Sequence, residues 1–184
     1  MIYEPSDDSF FLAEQIPKVL KSLQKNSLIL DMGSGSGIQS KKLIENKILP
    51  ENITLIDIDK ESIEHLKKHF PKSKVIKSNL FDKIPPSKKF DLIIFNPPYL
   101  PLDKHEPKDS QKATTGGKNG DEIILKFLKQ SRTHLKEDGK ILLLTSSLTP
   151  MSKIKNEFSR FKSVKKLASK KIFFEELYVW EIAR

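Results

Sequence analysis

The chain predicts a mostly parallel α/β sheet covered by helices on both faces. Three observations carry that prediction. Between residues 27 and 145, short apolar runs of strand length alternate with amphipathic stretches of helix length, which is the signature of right-handed βαβ units. A glycine-rich turn separates the first apolar run from the helix that follows it. The last two runs are joined by a connection short enough only for an antiparallel pair.

Phe10, Phe11, Ile16, Val19, Leu20 and Leu23 recur near helical spacing, so a helix is expected within an N-terminal segment over 1–25 that covers the site, with a kink or break at Pro17. Strands are then expected at Ser27–Leu30, Ile53–Ile56, Val75–Lys77 and Phe90–Phe95. The intervening helices span Ser36–Asn46 and Lys60–His69, the second with Asp59 as its N-cap. Ile123, Ile124, Phe127, Leu128 and Leu135 mark a long helix, after which Gly139 introduces a strand at Lys140–Thr145. Met151, Ile154, Phe158 and Phe161 trace a further amphipathic helix. Val164–Ala168 and Leu177–Ile182 form the closing strands. The segment 100–119, rich in Pro, Lys, Asp and Gly, lacks any period and is expected to be a flexible functional loop.

At 184 residues the chain fits one domain over 1–184 with a core that needs no staples. It has no cysteine, so disulfides and thiolate metal sites are excluded and a reducing interior is suggested. No apolar run is long enough to span a bilayer, and the N-terminus lacks the regions of a secretion signal; a cytoplasmic protein is expected. Thirty-three Lys and Arg against twenty-four Asp and Glu give a formal charge of +9. The Lys162, Lys165, Lys166, Lys170, Lys171 stretch suits either a solvated surface or a polyanionic neighbour. His65 and His69 stand four apart on a charged helix without a third ligand, so they read as solvent-facing and no metal site is expected.

Leu28-Ile29-Leu30-Asp31-Met32-Gly33-Ser34-Gly35-Ser36-Gly37 reads as strand, turn and helix. This arrangement brings a ligand against bare backbone at a helix N-terminus. Asp57 lies twenty residues beyond Gly37, where a carboxylate accepts ribose hydroxyls. The spacing Gly-x-Gly-x-Gly differs from a dinucleotide fingerprint, and Asp31 would repel a pyrophosphate. Both features suit a cationic nucleoside such as S-adenosylmethionine. Ser78-Asn79-Leu80, after the third strand, offers amide or backbone groups to an adenine edge, or is simply a loop.

Asn96-Pro97-Pro98-Tyr99 follows the strand Phe90–Phe95. Two prolines lock two φ angles, remove two N–H donors and hold the chain extended. An amide oxygen, a free carbonyl and an aromatic face, with Leu100 beside them, make a cradle for a flat amino group. A glutamine amide, adenine N6 and guanine N2 all meet that description. RNA or DNA therefore stays open as a substrate, although duplex nucleic acid demands base extrusion and extra surface. A non-catalytic S-adenosylmethionine-binding subunit is the third reading, and it predicts a broken turn or tetrapeptide, whereas both are intact.

Taken in order, Tyr3-Glu4-Pro5-Ser6-Asp7-Asp8-Ser9, Asp31 to Gly37, Asp57-Ile58-Asp59, Asn96 to Tyr99 and Gly116-Gly117-Lys118-Asn119-Gly120 resemble the class I S-adenosylmethionine-dependent methyltransferases. More narrowly, they resemble the short archaeal and eukaryotic branch of the HemK-like glutamine methyltransferases. The resemblance implies a Rossmann-like seven-stranded sheet and cofactor contacts from Ser9, Asp31, Gly33, Ser34, Gly35, Gly37, Asp57, Ile58, Asn79, Leu80 and Asn96. It implies methylation of the glutamine amide in the Gly-Gly-Gln motif of a class I peptide chain release factor. It also implies a small zinc-binding activator paired with a sheet edge near Val75. Two departures from the branch stand out, Ala113-Thr114-Thr115 before Gly116 and Asn in place of Asp at position 79.

Overall fold

Why the apolar runs pair as they do is plain from their burial. In the computed structural model, which describes residues 4–105, 107, 111 and 114–184, every residue of β1 (Ile29–Met32) and β2 (Ile53–Asp57) is buried. Strands buried on both faces belong in the middle of a parallel sheet. They sit there beside β4 (Phe90–Phe95), with Met32 opposite Ile56 on one side and Phe95 on the other. The sheet has seven strands in the order β3-β2-β1-β4-β5-β7-β6. Here β3 is Lys74–Lys77, β5 Leu135–Ser146, β6 Ser163–Ile172 and β7 Glu175–Ala183. β7 runs antiparallel to both its neighbours, β5 and β6, and the other pairs are parallel. The order turns back between β1 and β4, the switch point where open α/β sheets hold ligands.

Among the described residues, five α-helices pack against the sheet: α1 (Asp7–Leu20), α2 (Ile38–Glu45), α3 (Lys60–His69), α4 (Glu122–His134) and α5 (Met151–Phe158). Asp59 caps α3 as expected, its carboxylate accepting from the Ser62 N–H at 2.9 Å. Phe127 of α4 packs against Phe95 at 4.6 Å between ring centres and against Phe81 at 5.8 Å. Each such buried ring contributes about 1.5–3 kcal/mol.

Several boundaries differ from expectation, each for a local reason. The first strand starts two residues late because Ser27 is tied into a turn with Gln24. Pro17 does not break α1, since buried Leu12, Ile16 and Val19 hold both sides of it against the core. Phe10 points outward, and Phe161 is buried beyond the end of α5. Leu135 begins β5 rather than ending α4, because it pairs with Phe90. Gly139 lies inside β5, where the register shifts, and a Cβ there would stand 2.9 Å from the Phe90 carbonyl oxygen.

The stem of the long loop is pinned. Leu100 bridges Thr115, and Leu102 donates to the Gly117 carbonyl at 3.1 Å. Tyr3 of the N-terminal motif and Ala113 lie outside the described residues. Among the described residues, no helix is long and apolar enough to cross a membrane.

Candidate active site

Alternating positive φ angles of 61°, 51° and 82° at Gly33, Gly35 and Gly37 fold the chain from β1 into α2. Only glycine takes this conformation without strain. At Gly37 space forbids a side chain as well, since a Cβ would sit 2.3 Å from the Phe70 ring. Ser34 clasps the turn to both strands. Its hydroxyl donates to the Asp31 carbonyl at 2.8 Å and accepts from the Ile56 N–H at 3.1 Å, while its own N–H donates to the Ile56 carbonyl at 2.8 Å. His65 is not simply solvent-facing. It is half-buried, with its ring 3.2 Å from the Ser36 carbonyl oxygen. No group of three metal-ligating side chains occurs among the described residues.

Two carboxylates face this turn. Asp57 ends β2 and accepts from the Gly35 N–H and the Asp59 N–H, each at 2.8 Å. These bonds orient the carboxylate and leave one lone pair on each oxygen for a ligand. Burial raises its pKa against those bonds. Asp31 is only 1% exposed and accepts from the Ser40 N–H at 3.1 Å and the Ser40 hydroxyl at 2.6 Å. Burial pushes its pKa up to about 7; the Ser40 bonds oppose the rise and the charge of Asp57 adds to it. Among the described residues, no Lys or Arg pairs with either carboxylate. Two buried carboxylates without a protein cation are suited to a cationic ligand, which favours their ionised forms, and the bare glycine backbone gives such a ligand room. Ile58, 63% exposed, offers an apolar face on the rim beside Asp57. Leu80 is buried at a φ of 48°, whereas Asn79 stands exposed.

Across the switch point, Asn96 leaves β4 toward the start of α1. Its Nδ2 donates to the Asp8 carboxylate at 3.2 Å and to the Ser9 hydroxyl at 3.3 Å. A carboxylate only accepts, so it forces the amide nitrogen toward itself and turns Oδ1 the other way. Oδ1 is buried and has no hydrogen-bond partner among the described residues. Leaving such an oxygen unpaired costs about 1–3 kcal/mol, which an incoming N–H donor recovers. Among the described residues, no hydrogen bond ends on the Pro97 or Pro98 carbonyl.

The tetrapeptide is braced from behind. A Cβ at Gly116 would stand 2.6 Å from the Pro98 carbonyl oxygen, and one at Gly120 would stand 2.6 Å from that of Tyr99. Backbone therefore packs on backbone there. The Tyr99 ring is buried, with its hydroxyl 3.5 Å from Glu175 Oε1, and Thr149 donates to its carbonyl at 3.4 Å. Gln39 of α2 donates to the Ser9 carbonyl at 3.0 Å, fastening α1 over the site. Sequence reasoning missed Asp8, Gln39, Ser40, Thr149 and Glu175 as parts of the site. Only Asp8 lay within a motif that signalled it.

A parallel sheet closed by one reversed strand, a glycine turn between two buried carboxylates and Asn-Pro-Pro-Tyr at the switch point define a class I methyltransferase. The chain belongs to the methyltransferase small domain family, whose model matches residues 7–174, and its relatives are HemK-like glutamine methyltransferases, as the motifs suggested. A protein of Methanocaldococcus jannaschii provisionally named a protein N5-glutamine methyltransferase is 32% identical, over 97% of this chain and 89% of the relative. Human methyltransferase HEMK2 is 28% identical over 78% of this chain and 71% of its own length. The release factor glutamine methyltransferase of Fusobacterium nucleatum is 31% identical over 73% of this chain, which spans only 41% of that longer protein. Among solved structures, the E. cuniculi Mtq2–Trm112 complex, described as responsible for the methylation of the eRF1 translation termination factor, aligns with a TM-score of 0.74 at 20% identity, over 99% of this chain and 98% of that one. A T. thermophilus 16S rRNA N2 G1207 methyltransferase in complex with AdoMet and guanosine aligns at 0.68 and 16% identity, over 98% of this chain and 44% of that one. At those identities the likeness is one of fold.

Proposed function

We propose that this chain transfers a methyl group from S-adenosylmethionine to the side-chain nitrogen of the glutamine in the Gly-Gly-Gln motif of a class I peptide chain release factor. The observation that carries the reading is the buried, unpartnered Oδ1 of Asn96, aimed away from the carboxylate that holds its Nδ2. The naming of relatives as glutamine methyltransferases supports the choice of acceptor.

Asp57 and the rim residue Ile58 would hold the adenosyl portion of the cofactor, Asp31 and the Gly33–Gly37 backbone its cationic tail, and Asn79 and Leu80 its base edge. Ser9 fits this cofactor side too, through the start of α1. When bound, the cofactor supplies an electrophilic methyl on a sulfonium. A glutamine amide nitrogen is a weak nucleophile because its lone pair is delocalised, so the protein must contribute geometry. Asn96 Oδ1 and the Pro97 carbonyl accept the two N–H groups and fix the nitrogen. Pro98 keeps the path extended, while Tyr99 and Leu100 bound the cradle. Positioning of this kind supplies about 7 kcal/mol or more. As positive charge gathers on nitrogen, the same two carbonyl dipoles stabilise it. The nitrogen then becomes acidic enough to lose its proton to water, without a dedicated base.

A small zinc-binding activator pairing with β3 completes the proposal. It is supported by the position of β3 at the sheet edge, with Val75 and Ile76 only half-covered, and by the complex in which the similarly folded Mtq2 was solved. The chain works in the cytoplasm, where release factors act.

The test is a methyl-transfer assay with labelled S-adenosylmethionine against release factor, the Gln→Ala variant of its Gly-Gly-Gln motif, tRNA, rRNA and DNA. Label on the intact release factor alone is the expected result. Equal labelling of the Gln→Ala variant, or transfer to nucleic acid only, overturns the assignment.

A further inference from the structure

Phe173 and Phe174 are 100% and 95% exposed. They form the whole turn between β6 and β7, whose last register pair is Ile172 with Glu175. Two-residue hairpin turns favour Asn, Asp and Gly with positive φ. Here neither residue has a positive φ, the only such non-glycine residues described being Lys47 and Leu80. Nothing about making the turn therefore asks for two phenylalanines. Displaying them in water forgoes about 1.5–3 kcal/mol per ring that a partner recovers on covering them.

Topology sets where this tip lies. β7 is antiparallel to both β5 and β6, so β6 ends at the same edge of the sheet as β1, β4 and β5, the edge that carries the acceptor tetrapeptide. Contacts tie the tip to that site. Glu175, next to Phe174, accepts from the Tyr99 hydroxyl at 3.5 Å and from the Ser146 hydroxyl. On the other strand, Lys170 pairs with Asp7 at 3.0 Å, one residue from Asp8. A groove of about 340 Å³ runs between the two rings and Ser147, with Lys171 and Glu176 on its banks.

Charge selects the occupant. Of the nearby lysines, Lys170 is neutralised by Asp7 and Lys166 lies over the Tyr178 ring at 4.5 Å. The immediate surroundings of the rings hold Lys171, Glu175 and Glu176, and Lys166 keeps its charge beside Tyr178, whose hydroxyl donates to Glu176 at 3.1 Å. An apolar tip whose base carries no net positive charge does not suit a phosphate backbone. A second copy of the chain covering it would also crowd the acceptor mouth.

We propose that Phe173 and Phe174 are the docking element for the protein substrate, gripping an apolar patch of the release factor beside its glutamine loop. They supply affinity and touch no reacting atom. This rests on the function proposed above. The test measures steady-state methylation of full-length eRF1-type release factor by wild type, the Phe173→Ser/Phe174→Ser variant and the Phe173→Leu/Phe174→Leu variant. Calorimetric S-adenosylmethionine affinity, thermal midpoint, sedimentation and RNA gel shifts are measured in parallel. The expected result is at least a tenfold rise in KM for release factor in the serine variant, with kcat, cofactor affinity and thermal midpoint unchanged and most of the loss restored by leucine. An unchanged KM, a loss confined to kcat or cofactor affinity, loss of a wild-type dimer, or loss of RNA binding alone each overturns the docking role. Wild type that, assayed with the activator subunit present, leaves release factor unmethylated removes the proposed function itself, a different and earlier failure of the same experiment.

Discussion

The two halves of the site are built on opposite principles. Around the glycine turn, Ser34, Ser40, Gly35 and Asp59 give each carboxylate or strand end a partner within or next to the motif itself, and the unsettled quantity is charge. Around Asn96 to Tyr99, the braces come from Asp8, Gly116, Thr149 and Glu175, remote in the chain, and the unsettled quantity is one hydrogen bond, at Asn96 Oδ1. One half waits for a cation and the other for an N–H donor. A methyl-transfer site needs both ligands, and each half carries the deficit that its own ligand relieves.

The charge deficit offers the largest effect. Raising the pKa of Asp31 from 3.8 to about 7 means that the folded state binds a proton the unfolded chain has already lost between those values. Stability of the ligand-free protein therefore falls as pH rises through that window, by up to roughly 4 kcal/mol, with Asp57 acting in the same direction. Thermal midpoints measured from pH 4 to 8 should decline for wild type and stay flatter for Asp31→Asn. Identical profiles would remove the charge deficit. S-adenosylmethionine affinity should improve over the same rise, because the cation needs the ionised carboxylate.

Next in size is the hydrogen-bond deficit. Asn96→Ala is expected to lower kcat by about 10²–10³-fold, the usual consequence of losing one preorganised electrostatic partner, while calorimetry finds cofactor affinity within a few-fold of wild type. A loss shared equally with cofactor binding would blur the two halves into one. Gly37→Ala should cost about 3 kcal/mol of stability, from a strained φ and the clash with Phe70. Adding Phe70→Ala should return only the steric part, as read from denaturant midpoints. Smallest is Asp57→Ala, expected to weaken cofactor binding by about 10- to 100-fold through lost hydrogen bonds, with kcat at saturation little changed.

Legibility in the sequence followed the same division. Asp31, Gly33, Gly35, Gly37 and Asp57 were readable because strand ends and glycine turns are local patterns, and Asp59 announced its own helix. Asn96 to Tyr99 was readable as a rigid acceptor, yet nothing nearby revealed what turns the Asn96 amide. The boundaries that shifted, at Ser27, Leu135 and Gly139, shifted because a turn bond or a cross-strand partner outweighed the local apolar pattern.

By itself, the sequence determined the order of elements, the places where glycine must bend the chain, the two acidic strand ends and the rigid tetrapeptide. Periodicity, φ preference and proline geometry act over a few residues. Only the tertiary structure decided that Asp8 orients Asn96 across 88 positions, that Glu175 holds the Tyr99 hydroxyl across 76, and that Phe173 and Phe174 stand at the acceptor edge. Hydrogen bonds and exposure depend on distance in space, and the crossings of a seven-stranded sheet set that distance independently of separation along the chain.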